Sequence, residues 1–142
     1  MGRLFILKPK TKFNVPVEAE KIRPKVFAEK SLEDIKKIKV YEGNRERALG
    51  ELFEIKEEAV EEDIVRIILE GDFRKVWRIG EKMGFGEILV NGDCGHYLGY
   101  NMKGGKIVVK GNAGSWIGAE MTGGTIETVS YTHLTLPTKR IV

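Results

Sequence analysis

Asp93-Cys94-Gly95-His96 sets a thiol two residues from an imidazole, the residue types that a nucleophile and its base require. The register of the chain argues against that chemistry. Cys94 occupies the slot that Ala113 fills 19 residues later, and His96 aligns with Ser115. Both are therefore read as structural, Cys94 as small packing and His96 as an outward corner, and a lone histidine makes a poor metal site. Met83, Met102 and Met121 keep the same spacing of 19 and read as a core ladder, not as a metal or cofactor box. The turns Gly104-Gly105 and Gly111-Asn112-Ala113-Gly114 lack the Lys-Ser/Thr and the following helix that a phosphate cradle needs. Trp77 and Trp116 are candidates for an exposed face, where a Trp favours a protein contact. No carboxylate pair suits acid–base work. The expectation is no catalytic, no cofactor-binding and no metal-binding residue.

The elements that position these residues are set by the repeat. Gly80, Gly99 and Gly118 lie 19 apart, as do Gly86, Gly105 and Gly124, and Ile88, Ile107 and Ile126. Gly92 and Gly111, Gly95 and Gly114, and Leu98 and Ile117 complete the register, while Ile67, Leu69, Gly71 and Ile79 read as a further copy upstream. In each I-x-V the two apolar side chains share a face and the residue between them points out. One such strand per repeat, stacked on the last, builds an apolar column. Glycine pairs and G-[DN]-[CA]-G supply the turns with φ > 0 positions. The pattern predicts a mainly β chain: a right-handed parallel β-helix, a solenoid of 19-residue coils, after a small α+β segment. The division expected is an N-terminal α+β cap over 1–62, a truncated β-helix over 63–128 and a tail over 129–142.

In the cap, Leu4-Phe5-Ile6-Leu7 predicts a short strand stopped by Pro9, and Pro16 and Pro24 an extended stretch. Ser31 followed by Asp34 predicts an N-cap for a short helix with Leu32, Ile35 and Ile38 on one stripe. Glu42-Gly43-Asn44 reads as a turn, Leu52, Phe53 and Ile55 as a strand, and the acidic run Glu57 to Asp63 as a solvated loop. The net charge of +3 comes from 24 basic and 21 acidic residues, which are mixed and form no basic stripe, so a nucleic-acid partner is not expected. No apolar run is long enough to span a membrane. The single cysteine excludes an internal disulfide and suits the cytoplasm.

The copy from Gly104 to Gly114 resembles two related families, the β-helical domain of glutamate synthase large subunits and the C subunit of formylmethanofuran dehydrogenase. Lys8-Pro9-Lys10, Val15-Pro16-Val17-Glu18-Ala19, Ile22-Arg23-Pro24, Val26 to Ser31, Glu42-Gly43-Asn44 and Leu49 to Glu54 are similar to the second. The resemblance covers residues 4 to about 127. It implies a structural subunit of a cytoplasmic, hetero-oligomeric oxidoreductase complex that reduces CO2 and forms formylmethanofuran, the entry to methanogenesis. Its molybdenum or tungsten pterin, iron–sulfur clusters and amidohydrolase metals would belong to partner subunits, with none bound by this chain. The alternatives are a glutamate synthase spacer, the C subunit of a bacterial formyltransferase/hydrolase complex, or a free-standing β-helix binding module. The family's repeat is lost after Thr128, where Ser130, Tyr131 and His133 stand at turn positions. The stretch from Val129 to Thr138 resembles a translated sequencing adapter, so residues 129–142 are expected to be non-native and the chain a fragment.

Overall fold

The structure, a computed structural model, describes residues 2–129 and 138–141. In chain order the elements are β1 (Gly2–Pro9), β2 (Val17–Glu18), α1 (Pro24–Ala28), α2 (Leu32–Lys36), β3 (Lys39–Glu42), β4 (Arg45–Ala48) and α3 (Leu49–Leu52). Then follow β5 (Phe53–Val60), β6 (Val65–Glu70), β7 (Val76–Trp77), β8 (Glu87–Asn91), β9 (Lys106–Val109), β10 (Thr125–Thr128) and β11 (Thr138–Ile141). A seven-stranded sheet has the order β11-β10-β9-β8-β6-β1-β5, and a four-stranded sheet the order β4-β3-β2-β7.

The expected right-handed parallel β-helix of 19-residue coils is corrected by this topology. The chain is a mixed α/β fold with two mixed sheets. In the larger one, β5 pairs antiparallel with β1, and β11 antiparallel with β10. In the smaller one, β3 runs antiparallel to both β2 and β4. A repeat period fixes how its own copies align. It carries no information about the strands that flank them.

Within the larger sheet the repeat acts as register. β6, β8, β9 and β10 run parallel, pairing Ile67 with Ile88, Ile88 with Ile107 and Ile107 with Ile126. All four side chains are buried, each stabilising by roughly 1.5–3 kcal/mol relative to exposure. Met83, Met102 and Met121 are buried too. Glycine here serves close approach as well as turning. Gly105 has φ +84°, whereas a Cβ on Gly111 would sit 2.5 Å from the Gly92 carbonyl oxygen, so the backbones of successive repeats leave no room for a side chain.

The first sixty residues differ from expectation at two places. Pro24 does not extend the chain but opens α1, where its missing N–H costs no helical bond. The acidic run is not a loop from Glu57, because β5 continues to Val60 along β1. Glu57 is held there by Arg3, with side-chain bonds of 2.7 and 3.0 Å, and the guanidinium keeps its carboxyl below the usual carboxylate range. Arg3 also donates to the Phe27 and Ala28 carbonyls and so ties α1 to the sheet. Ser31 caps α2 by accepting from the Asp34 N–H at 3.2 Å, and Gly43-Asn44 turn β3 into β4. One apolar core runs from Phe5 and Phe27 through Phe53 and Phe73 to Ile126, with Phe53 and Phe73 stacked at 5.6 Å. Ser130, Tyr131 and His133 lie outside the described residues.

Candidate functional site

The corner that follows β8 separates the thiol from the imidazole. Cys94 is buried in the core, where its N–H donates to the Asn112 carbonyl at 2.9 Å. Burial first, and the Asp93 charge second, push the thiol up to about 12, against a hydrogen bond from the Gly114 backbone. A thiol so protonated is a poor nucleophile and a poor metal ligand. His96 lies outside, its ring edge against Trp77 at 4.9 Å, and its Nδ1 accepts the Ser115 N–H at 2.7 Å. Asp93 does the same for the Asn112 N–H, also at 2.7 Å. These two bonds each join positions 19 apart, so the polar corner side chains of one repeat satisfy the backbone of the next.

His96 and Trp77 line one end of an open groove of about 900 Å³, whose other walls include Lys8, Lys12, Phe13 and Arg74. Its lining carries four cations, Lys8, Lys12, Arg74 and Lys75, against two carboxylates, Glu70 and Asp72. Asp72 takes Arg74 in two bonds of 2.9 and 2.8 Å, which hold its carboxyl below the usual range, and Lys8 pairs with Glu70 at 3.7 Å.

A second surface feature escaped the reading of the sequence. Arg78, Tyr97 and Trp116, each 19 apart, all take left-handed backbone with φ of 67°, 60° and 64°. Their side chains stack: the Arg78 guanidinium lies 4.9 Å from the Tyr97 ring centre, and Tyr97 is nearly parallel to Trp116 at 6.4 Å. Glu18 and Glu81 hold Arg78 at 3.0 and 2.8 Å. Trp116 is 66% exposed and ends the ladder, as expected of a residue on a face, whereas Trp77 is half-buried in the groove. The signal was available in the 19-residue register, but three different residue types concealed it.

Among the described residues no group of three or more His, Cys, Asp and Glu side chains could hold a metal ion. The one cysteine is fewer than the four thiolates that hold a common iron–sulfur cluster. No helix among the described residues is long and apolar enough to cross a membrane.

No protein-family model matches the chain. The C subunit of molybdenum-containing formylmethanofuran dehydrogenase 1 from Methanothermobacter marburgensis is 50% identical over 95 residues, 67% of this chain and 23% of that protein. The C subunit of tungsten-containing formylmethanofuran dehydrogenase 2 from Methanothermobacter wolfeii is 50% identical over 96 residues, 66% of this chain and 35% of that protein. A chain in the solved structure of the formyltransferase/hydrolase complex (FhcABCD) from Methylorubrum extorquens, in complex with methylofuran, superimposes with a TM-score of 0.75. It is 28% identical, over 90% of this chain and 51% of that one. The chain thus spans about a quarter to a third of the length of these curated relatives. The class these likenesses share is a subunit of a larger enzyme. Over the matched two thirds, this chain belongs to the family of formylmethanofuran dehydrogenase C subunits.

Proposed function

We propose that the chain serves as a structural, non-catalytic part of the C subunit in a formylmethanofuran dehydrogenase complex, an oxidoreductase of one-carbon metabolism. One observation carries the reading, the 50% identity to C subunits of both the molybdenum and the tungsten enzymes. The local chemistry supports it: the thiol is buried, and His96 and Asp93 are spent on backbone bonds between repeats. On this reading the metal pterin, iron–sulfur clusters and amidohydrolase metals sit in partner subunits, and the assembly is cytoplasmic. Tagged chain expressed with its neighbouring genes should co-purify with the other subunits. Recovery of the chain alone, under conditions where those subunits are present and folded, would remove the proposal.

The likeness to the bacterial complex favours a second reading, the C subunit of a formyltransferase/hydrolase, because it extends over 90% of the chain. The identity of the co-purifying subunits separates the two. A redox subunit with pterin and clusters selects the dehydrogenase, and its absence from an otherwise complete assembly selects the hydrolase type.

A further inference from the structure

The outward face of the larger sheet carries an apolar row that its strand pattern requires to be covered. Ile67-Ile68-Leu69 in β6, Ile88-Leu89-Val90 in β8 and Ile107-Val108-Val109 in β9 are apolar throughout, the pattern of parallel strands covered on both faces. The outer members of each triplet are buried. The middle members are cross-strand neighbours on the opposite face: Ile6 pairs with Ile68, Ile68 with Leu89 and Leu89 with Val108. All four are half-buried, and the last three border an open furrow of about 330 Å³ that also takes in Arg66, Glu87 and Lys106. The row stops at charged residues on both sides, Lys56 in β5 and Glu127 in β10.

The charges beside the row are unequal. Arg66 and Glu87 satisfy each other at 2.8 Å, and Lys8 and Glu70 pair at 3.7 Å. Lys106 and Lys110, which flank Val108 on the same face, are exposed and have no carboxylate partner among the described residues. The face therefore presents aliphatic side chains with two lysines against one carboxylate, Glu127, at one end.

Its size selects the occupant. Four strands at about 4.8 Å spacing, and the four-residue step from Lys106 to Lys110 along a strand at about 3.3 Å per residue, span roughly 14 by 13 Å. That is near 200 Å², far below the ~800 Å² per partner of a stable protein dimer, so a second copy docked on this patch alone is too small an interface. It matches a single helix about 10 Å across, laid along the row. Paired strands leave this face no free backbone groups, so recognition rests on side chains.

We propose that this face is the seat of an amphipathic helix from another subunit, with aliphatic residues at i, i+3/i+4 and i+7 over Ile6, Ile68, Leu89 and Val108, and carboxylates over Lys106 and Lys110. This rests on the reading of the chain as part of a complex and names the surface and the chemistry of the contact. The test uses the assembled complex, recovered through tagged chain, with Leu89→Glu, Lys106→Glu/Lys110→Glu and, on the other surface, Trp116→Ala. Leu89→Glu and the double lysine variant should each lower recovery of a partner subunit about tenfold or more, with unchanged far-UV circular dichroism. Trp116→Ala should leave it near parental. A photo-crosslinker at position 89 should capture a segment of that subunit with the stated spacing and acids. Normal assembly of Leu89→Glu, or crosslinks only to a second copy of the chain, would overturn the proposal while leaving the subunit reading intact. If the parent carries no partner subunit at all, the subunit reading fails first and this inference with it. If Leu89→Glu misfolds, the crosslink and the lysine variant decide.

Discussion

Cys94 and His96 are residue types that promise reactivity, and the structure sets them in different surroundings. The register with Ala113 and Ser115 reads both positions as structural; in the structure the thiol is buried and the imidazole accepts the Ser115 N–H. Because burial raises the thiol from 9.0 to about 12, the folded chain keeps a proton that the unfolded chain sheds above pH 9. The sign follows from linkage. Stability from this group is fully present below pH 9 and is lost as pH rises toward 12. The denaturant midpoint of the parent should therefore fall more steeply over that alkaline range than that of Cys94→Ala. The native thiol should resist alkylation at neutral pH and react once the chain is unfolded. Fast native alkylation would contradict the burial. In an assembled complex, Cys94→Ala with His96→Ser should keep activity near parental, and a loss of about 10²-fold, the scale of a missing general acid or base, without an assembly defect would reveal a site.

At the scale of elements, the parallel strands owe their register to a row of identical positions. Ile67, Ile88, Ile107 and Ile126 are successive neighbours and buried, so slipping one strand by a residue would turn its apolar set to the other face. Ile107 is central in that row, with packed neighbours on both sides. Ile107→Val should cost about 0.5–1.5 kcal/mol and Ile107→Ala about 2–5 kcal/mol in chemical denaturation. Equal effects of the two, or none, would mean the column is not closely packed. The short helices were partly legible. Ser31 announces α2 because a capping oxygen acts within three residues, but Pro24 is equally at home in an extended stretch and at a helix start. The choice is made by Phe27, which α1 delivers against Phe5 at 5.2 Å.

For the whole molecule, the placement of β1 matters most. It lies between β5 and β6, pairing antiparallel with one and parallel with the other, and so joins the N-terminal residues to the repeat strands. Arg3 and Phe5 extend the connection to Glu57 and α1. With one continuous core, unfolding should be a single transition. Tryptophan fluorescence, from Trp77 and Trp116, and far-UV circular dichroism should give coincident curves. Phe5→Ala should shift both together by about 3–5 kcal/mol. Two separated transitions, with Phe5→Ala moving only the first, would show that the repeat strands stand without β1.

The sequence by itself determined the family and the alignment of the repeat. A period of 19 residues repeats the same apolar and glycine positions, and stacking them in register keeps like beside like. It also determined which residues of the repeat strands turn inward, since strand alternation is local. Tertiary structure alone decided that the sheet is mixed, with β1 beside the first repeat strand, β5 beyond β1, and β11 beside the last. It also decided that the run from Glu57 to Val60 continues a strand, that Arg78, Tyr97 and Trp116 stack, and that Ile6 completes an outward apolar row begun by Ile68, Leu89 and Val108. These arrangements rest on side chains that meet across 19 to more than 50 residues of chain; the 19-residue register aligns Arg78, Tyr97 and Trp116, but their stacking and the pairing of β1 depend on tertiary contacts.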